Sequence, residues 1–197
     1  ITSTVKRNYR LILEVYKNHS LIENSALVSP AAEWLLDNFY IIDEQVKDIL
    51  FNLSKMRASV LPILKGGHLA GYPRVYAIAL ELVAHTDGKI DENSIISFIN
   101  SYQSRSVLSL SELWALAIMI RIALIEKIRQ LCLDMEITYK NWLEAEKLAS
   151  ETAEKINKGE NNILDSLTEY LDDRNISDNS FYEHFIKKLK RSTDRFS

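Results

Sequence analysis

The fold is decided by residues 109–125, which read SLSELWALAIMIRIALI. Ser109 and Glu112 form a capping-box pattern, in which each side chain accepts a hydrogen bond from the backbone N–H of the other residue at a helix start. The helix that follows is apolar around nearly its whole circumference, and a helix without a polar face must be buried. The sequence therefore predicts a central apolar helix over about residues 109–136.

Helical periodicity continues through most of the remaining chain. Apolar side chains three or four positions apart predict a first helix over residues 3–18. Ser29-Pro30 reads as an N-cap followed by proline at the first position of a long amphipathic helix. Shorter helices are predicted after Pro73 and Asp91, and Gly88 suits the left-handed position that ends the first of them. With only five glycines and three prolines in 197 residues, we expect an all-α fold, an irregular multi-helix bundle around the central helix.

The composition changes in the last third of the chain. Residues 138–158 are charged and rich in alanine, and two shorter amphipathic segments follow them. We therefore predict a helical core domain over residues 1–136. Residues 137–197 are predicted to form a charged helical extension, and the sequence leaves open whether this extension packs on the core.

Charge and hydropathy exclude several classes of function. The net charge is −3 and no Lys/Arg cluster dominates a helix face, so we expect no nucleic-acid partner. The most apolar run, residues 113–125, is shorter than the roughly 20 residues that cross a bilayer, and Arg121 interrupts it. We expect no membrane span in this chain. Cys132 is the single cysteine, which excludes an internal disulfide.

Seven charged or polar side chains are candidates for a buried polar network. Arg121 lies among apolar neighbours on the central helix, where an unpaired charge would cost several kcal/mol. No carboxylate lies three or four residues away, so its partner must come from another helix, and Glu33, Asp37 or Glu81 are the candidates. The predicted network consists of Glu33, Asp37, Arg74, Glu81, His85, Arg121 and Glu126.

Two pairs within this set also permit a catalytic interpretation. Glu81 and His85 are four residues apart and could form an acid/base couple or half of a metal site, but no H-E-x-x-H pattern accompanies them. Glu33 and Asp37 flank Trp34, as sugar-cleaving carboxylates can, although the helix dipole by itself favours acidic residues in a first turn. In both cases we favour a structural role.

The remaining sequence motifs predict no catalytic, cofactor-binding or metal-binding site. The glycine-rich loop at residues 65–73 lacks the Lys-Ser/Thr of a phosphate-binding P-loop and does not follow a strand. No nucleophile turn occurs, and no Asp-x-Asp pair is present to hold a nucleotide-sugar metal ion. We therefore predict no catalytic residue, no cofactor and no metal site.

Three stretches carry a family resemblance. They are AEWLLDN at residues 32–38, LAGYPRVY continuing to ELVAHTD over residues 69–87, and ELWAL continuing to LIE over residues 112–126. Their order and spacing resemble the N-terminal region of bacterial cyclic β-1,2-glucan synthases over roughly residues 8–132. Residues 138–197 resemble no family.

The resemblance implies a context for the chain. These synthases are very large membrane glycosyltransferases that polymerise glucose from UDP-glucose and close the product into a ring. Their chemistry lies in later segments, so no catalytic residue carries over to this sequence. The resemblance implies a bacterial, non-catalytic helical module on the cytoplasmic side of the inner membrane, with the remainder of the same polypeptide as partner and a role in assembly or regulation.

Two other functions remain open from the sequence. The chain could be a free-standing interaction module whose helices in residues 138–197 bind a partner. It could also hold a small sugar-binding or hydrolytic site built from Glu33, Asp37, Glu81 and His85. A reading frame that ends near Ser197 would favour the first, and a deep cleft lined by those four residues would favour the second.

Overall fold

The computed structural model describes residues 1–56, 61–160, 162–163, 167–170 and 179–193. Among these residues the single β-type contact is an isolated antiparallel bridge between Ile63 and Pro73. The predicted all-α fold is confirmed. None of the described helices combines the length and the apolar character that a bilayer crossing requires.

Six α-helices have defined bounds in the described residues. A 3-10 turn at Ser25–Leu27 lies between the first two. The helices are α1 (Thr2–Ser20), α2 (Pro30–Lys55), α3 (Arg74–His85), α4 (Glu92–Gln103), α5 (Leu110–Asn157) and α6 (Asn179–Thr193).

Two helix starts follow capping signals in the sequence. At α4, Asp91 Oδ1 accepts a hydrogen bond from the Ser94 N–H at 2.8 Å, and Ser94 Oγ accepts one from the Asp91 N–H at 3.1 Å. At α5, Glu112 Oε2 accepts from the Ser109 N–H at 2.9 Å, and Ser109 Oγ accepts from the Glu112 N–H at 3.3 Å. Each pair occupies backbone donors that the first helical turn leaves without intrahelical partners.

The end of α3 requires left-handed backbone. Asp87 has φ 50° and Gly88 has φ 78°. The Gly88 N–H donates to the Val83 carbonyl oxygen at 2.9 Å, so the turn closes back on the helix end. The sequence-based placement of Gly88 in this conformation is confirmed.

The expectation for the central helix needs two corrections. Helix α5 does not end near residue 136 but continues to Asn157, because no glycine or proline interrupts the chain from residue 110 to residue 157. Nor is its apolar part buried all round, since Leu110 is 63% exposed and Trp114 is 78% exposed. The packed neighbours cover one side of this segment and leave the other in solvent.

The described chain divides into two compact units. The first comprises residues 1–20 and 34–133, and the second comprises residues 21–33 and 134–197. The division near residue 133 lies close to the predicted boundary at residue 136. Residues 21–33, which we had expected to belong to the core domain, group with the second unit.

The interior of the first unit receives apolar side chains from four helices. Each of these side chains is 2% exposed or less, and burying one contributes about 1.5–3 kcal/mol relative to leaving it in water. They are Val5 and Ile12 of α1, Leu35 and Ile49 of α2, Val75 and Leu82 of α3, and Met119 and Ile122 of α5. The helix stripes read from the sequence are thus the faces that pack inward.

The second unit has its own small hydrophobic cluster. Phe181 of α6 is buried to 1% exposure together with Ala145 and Leu148 of α5. The partly buried side chains that pack against them are Leu167, Tyr170, Tyr182 and Phe185.

Candidate functional site

The structure does not bring the seven predicted network residues together. Glu33, Asp37, Glu81 and His85 are exposed. The other three, Arg74, Arg121 and Glu126, are partly buried, and each has different partners. The prediction of one buried network is corrected to three separate polar clusters, all in the first unit.

The first cluster joins Arg74 at the start of α3 to Glu112 in the first turn of α5. Arg74 Nε donates to Glu112 Oε1 at 2.9 Å, and Nη2 donates to Oε2 at 2.7 Å, a two-pronged ion pair. Arg74 Nη1 donates to Ser106 Oγ at 2.8 Å. Because the Glu112 side chain is fully buried, its charge is held by this guanidinium and by Ser109.

Both charges of this pair persist at neutral pH. Burial alone would raise the pKa of Glu112, but hydrogen bonds from Arg74 and Ser109 outweigh burial and hold that pKa below its ordinary value. The hydrogen bond with Glu112 raises the pKa of Arg74. A general acid or base needs a pKa near the working pH, so this pair is suited to holding α3 against α5 and not to proton transfer.

The second cluster surrounds Arg121. Its Nη2 donates to Asp48 Oδ2 at 2.6 Å and to Gln45 Oε1 at 2.8 Å, and its Nε donates to Gln45 Oε1 at 3.1 Å. The acceptors lie on α2, so the partner comes from another helix. It is none of the three carboxylates, Glu33, Asp37 and Glu81, that we expected.

The third cluster surrounds Glu126 of α5. Glu126 accepts hydrogen bonds from Asn8 Nδ2 on α1 and from Arg129, whose Nη2 lies 2.7 Å from Oε1. Asn8 is fully buried. Burial, followed by the charge of Glu126, raises the pKa of nearby Tyr76 to about 12. The phenol therefore stays protonated and neutral in the interior at neutral pH.

Several partners of the predicted residues were missed from the sequence, among them Glu112, Asn8 and Gln45. Glu112 was recognised as a cap and not as an ion-pair partner. Asn8 lies three residues after Val5 and four before Ile12, so a polar side chain on an apolar stripe was the available signal. Gln45 carried no such signal, because it flanks the apolar stripe of α2.

The four exposed residues do not form a site. His85 lies near the Phe98 ring, with centroids 6.2 Å apart, and Trp34 between Glu33 and Asp37 is 54% exposed. In the part of the chain that the structure describes, no group of three or more His, Cys, Asp or Glu side chains could hold a metal ion.

A fourth polar cluster lies in the second unit around Glu146 of α5. Glu146 Oε1 lies 3.5 Å from His184 Nε2, and Oε2 lies 3.5 Å from Lys188 Nζ, both on α6. Asn24 Nδ2 donates to both carboxylate oxygens at 3.2 and 3.3 Å. Trp142 stacks on the His184 ring at a centroid distance of 5.0 Å. The Glu146 carboxylate thus connects α5 both to α6 and to Asn24, which lies in the segment of residues 21–33.

Comparisons with known proteins identify a relative. No model of a known protein family matches the chain. Over 132 residues, which is 66% of its length, the chain is 33% identical to the cyclic beta-(1,2)-glucan synthase NdvB of Rhizobium meliloti. The match spans 5% of the length of that protein. The resemblance read from the sequence is confirmed, and the chain is related to this enzyme.

Proposed function

From this relationship we propose that the chain is a non-catalytic helical domain of a cyclic β-1,2-glucan synthase-like glycosyltransferase. Its place would be N-terminal, ahead of the membrane-embedded transferase, on the cytoplasmic side of the inner membrane. Its role would be in assembly or regulation of the larger polypeptide. The observation that carries the proposal is identity of 33% over 132 residues that amount to 5% of the relative.

The polar chemistry of the first unit supports a structural role. Arg74 with Glu112, and Arg121 with Asp48, are ion pairs between different helices. Glu126 accepts from both Asn8 and Arg129. A side chain in such a pair fixes the packing of two helices. None of these pairs includes a cysteine, serine or histidine nucleophile.

The experiment that tests the proposal compares the isolated chain with the full-length protein. The isolated chain is titrated calorimetrically with UDP-glucose and with β-1,2-gluco-oligosaccharides, and we expect no heat of binding. Transfer of labelled glucose from UDP-glucose is then measured for the full-length protein with and without residues 1–133. Transfer by the full-length protein, with a lower yield of membrane-inserted enzyme after the deletion, would support the domain role.

Two outcomes would overturn the proposal. A native reading frame that ends near Ser197 would favour a free-standing interaction module. Heat of binding with an oligosaccharide that disappears in Glu33→Gln or Asp37→Asn would establish a sugar site in the chain itself. The exposure of both carboxylates argues against the latter result.

A further inference from the structure

The first unit contains an open apolar groove of about 600 Å³. It lies where the end of α2 passes the first turns of α5. The described residues that line it are Asn52, Lys55, Met56, Leu61, Ser111, Trp114, Ala115, Ala117, Ile118 and Arg121.

Trp114 is the largest apolar side chain in the wall and is 78% exposed. Leu110, one helical turn earlier on the same face, is 63% exposed. Ala117 continues this face and is exposed as well. An aromatic side chain beside further apolar groups in a concave surface is typical of a site that binds another protein segment.

The charges in the described part of the groove wall are all positive. Lys55 Nζ lies 3.8 Å from the centroid of the Phe51 ring, and no carboxylate side chain is among the described lining residues. Arg121 is bound to Asp48 and Gln45 through Nε and Nη2. Its Nη1 has no hydrogen-bond partner among the described residues.

We infer that the groove docks an acidic amphipathic helix, with a large apolar side chain against Trp114 and carboxylates facing Lys55 and Arg121. The charge of the wall selects an acidic occupant although the chain as a whole carries a net charge of −3. A row of apolar positions one turn apart suits a helix laid in a groove. Assignment of this helix to the larger polypeptide rests on the proposed function, and about 95% of the relative's length lies outside the match.

The test uses two synthetic peptides of equal length. Both carry leucine at positions i, i+3, i+4 and i+7. The remaining positions are alanine and glutamate in one peptide, and alanine and lysine in the other. Isothermal titration with the intact chain should show binding of the glutamate peptide at least about tenfold tighter than of the lysine peptide. Nonspecific attraction to an anionic protein would give the opposite order.

Substitutions then locate the site. Trp114→Ala should weaken binding of the glutamate peptide at least about tenfold. Trp34→Ala is the matched control, because this tryptophan is also exposed and does not line the groove. Lys55→Glu should reduce or reverse the preference between the peptides. Circular dichroism should report unchanged helicity, since all three substituted side chains are exposed at the surface.

The inference is overturned by absence of heat with both peptides or by equal affinity for the two. An effect of Trp34→Ala as large as that of Trp114→Ala would likewise refute it, as would an unchanged preference in Lys55→Glu. None of these titrations depends on the full-length protein. A negative result for peptide binding in the groove is therefore distinguishable from a negative result for the proposed domain role, which is tested by glucose transfer.

Discussion

The buried carboxylate of Glu112 carries the largest single-residue consequence in the first unit. Its side chain is inaccessible to solvent, and Arg74 and Ser109 are its partners. Removing one partner of a buried ion pair leaves the other charge uncompensated, which costs more than the pair contributes relative to apolar residues.

Glu112→Gln should lower the free energy of unfolding by about 3 kcal/mol. Glu33→Gln, an exposed carboxylate on α2, should change it by less than about 0.5 kcal/mol. Urea unfolding at pH 7 followed by circular dichroism measures both. Because the pKa of Glu112 is lowered in the folded state, its contribution is complete above the ordinary value of 4.5 and is lost as pH falls through the folded pKa. The free energies of unfolding of the Glu112→Gln variant and of the unsubstituted chain should therefore converge in acid.

His184 gives the second unit a different pH dependence. Burial lowers the pKa of His184 below its ordinary value of 6.5, although Glu146 opposes this change and Lys187 and Lys188 support it. The unfolded chain then binds a proton more readily than the folded chain. Stability is constant above about pH 6.5 and falls as pH decreases toward the folded pKa.

The measurement is thermal unfolding between pH 8 and pH 5 with a probe of the second unit. Trp142 fluorescence is suitable because its ring stacks on His184, and Trp34→Phe and Trp114→Phe remove the other tryptophans. His184→Gln should flatten the dependence, whereas exposed His85→Gln should leave it unchanged. An unaltered slope in His184→Gln would contradict this assignment.

At the scale of single residues, sequence reasoning identified charged groups that needed partners but not the partners. Arg121 was correctly expected to reach another helix, yet Gln45 and Asp48 bind it. Helical spacing tells which face a side chain shares, while the register between two helices depends on the packing of both. That register is set by tertiary contacts that one segment of sequence does not contain.

At the scale of elements, helix starts and ends were the most predictable features. The caps at Asp91 and Ser109 and the turn at Gly88 are local, so a few neighbouring residues determine them. The extent of α5 was not recognised, because a change in composition after residue 137 was interpreted as a boundary. A charged face does not end a helix, and the next helix-breaking residue is Gly159.

Gly88→Ala should destabilise the chain by about 1 kcal/mol, since a side chain at φ 78° is strained. Gly66→Ala is the matched control. Gly66 does not have a positive φ, and a Cβ there would meet no atom within 4 Å. Denaturant midpoints compare the two variants. Equal effects would show that the left-handed turn after α3 is not needed for stability.

At the scale of the whole molecule, the sequence predicts a boundary at residue 136, and the structure divides the chain into two compact units. The sequence did not predict that residues 21–33 belong to the second unit. Periodicity reports that a face is apolar and not which distant segment covers it. Leu27 is buried, and Asn24 bonds to Glu146, more than a hundred residues away in sequence.

Residues 1–133 expressed alone should remain helical and unfold cooperatively, because the buried side chains of α1, α2 and α3 and the first part of α5 are retained. Residues 137–197 alone should show no cooperative transition, since they lack residues 21–33. Circular dichroism during heating distinguishes these outcomes. A cooperative transition in residues 137–197 would contradict the role assigned to the earlier segment.

The second unit is built from two segments that are far apart in sequence, and this affects how the chain folds during synthesis. Residues 21–33 are made about a hundred residues before their partners in residues 134–197. At about 5–20 residues per second, on the order of 5–20 seconds pass between the synthesis of Leu27 and the start of residues 134–197. During that interval Leu27, which is buried in the folded chain, lacks the rest of its unit, and a chaperone would act on the nascent chain in that period.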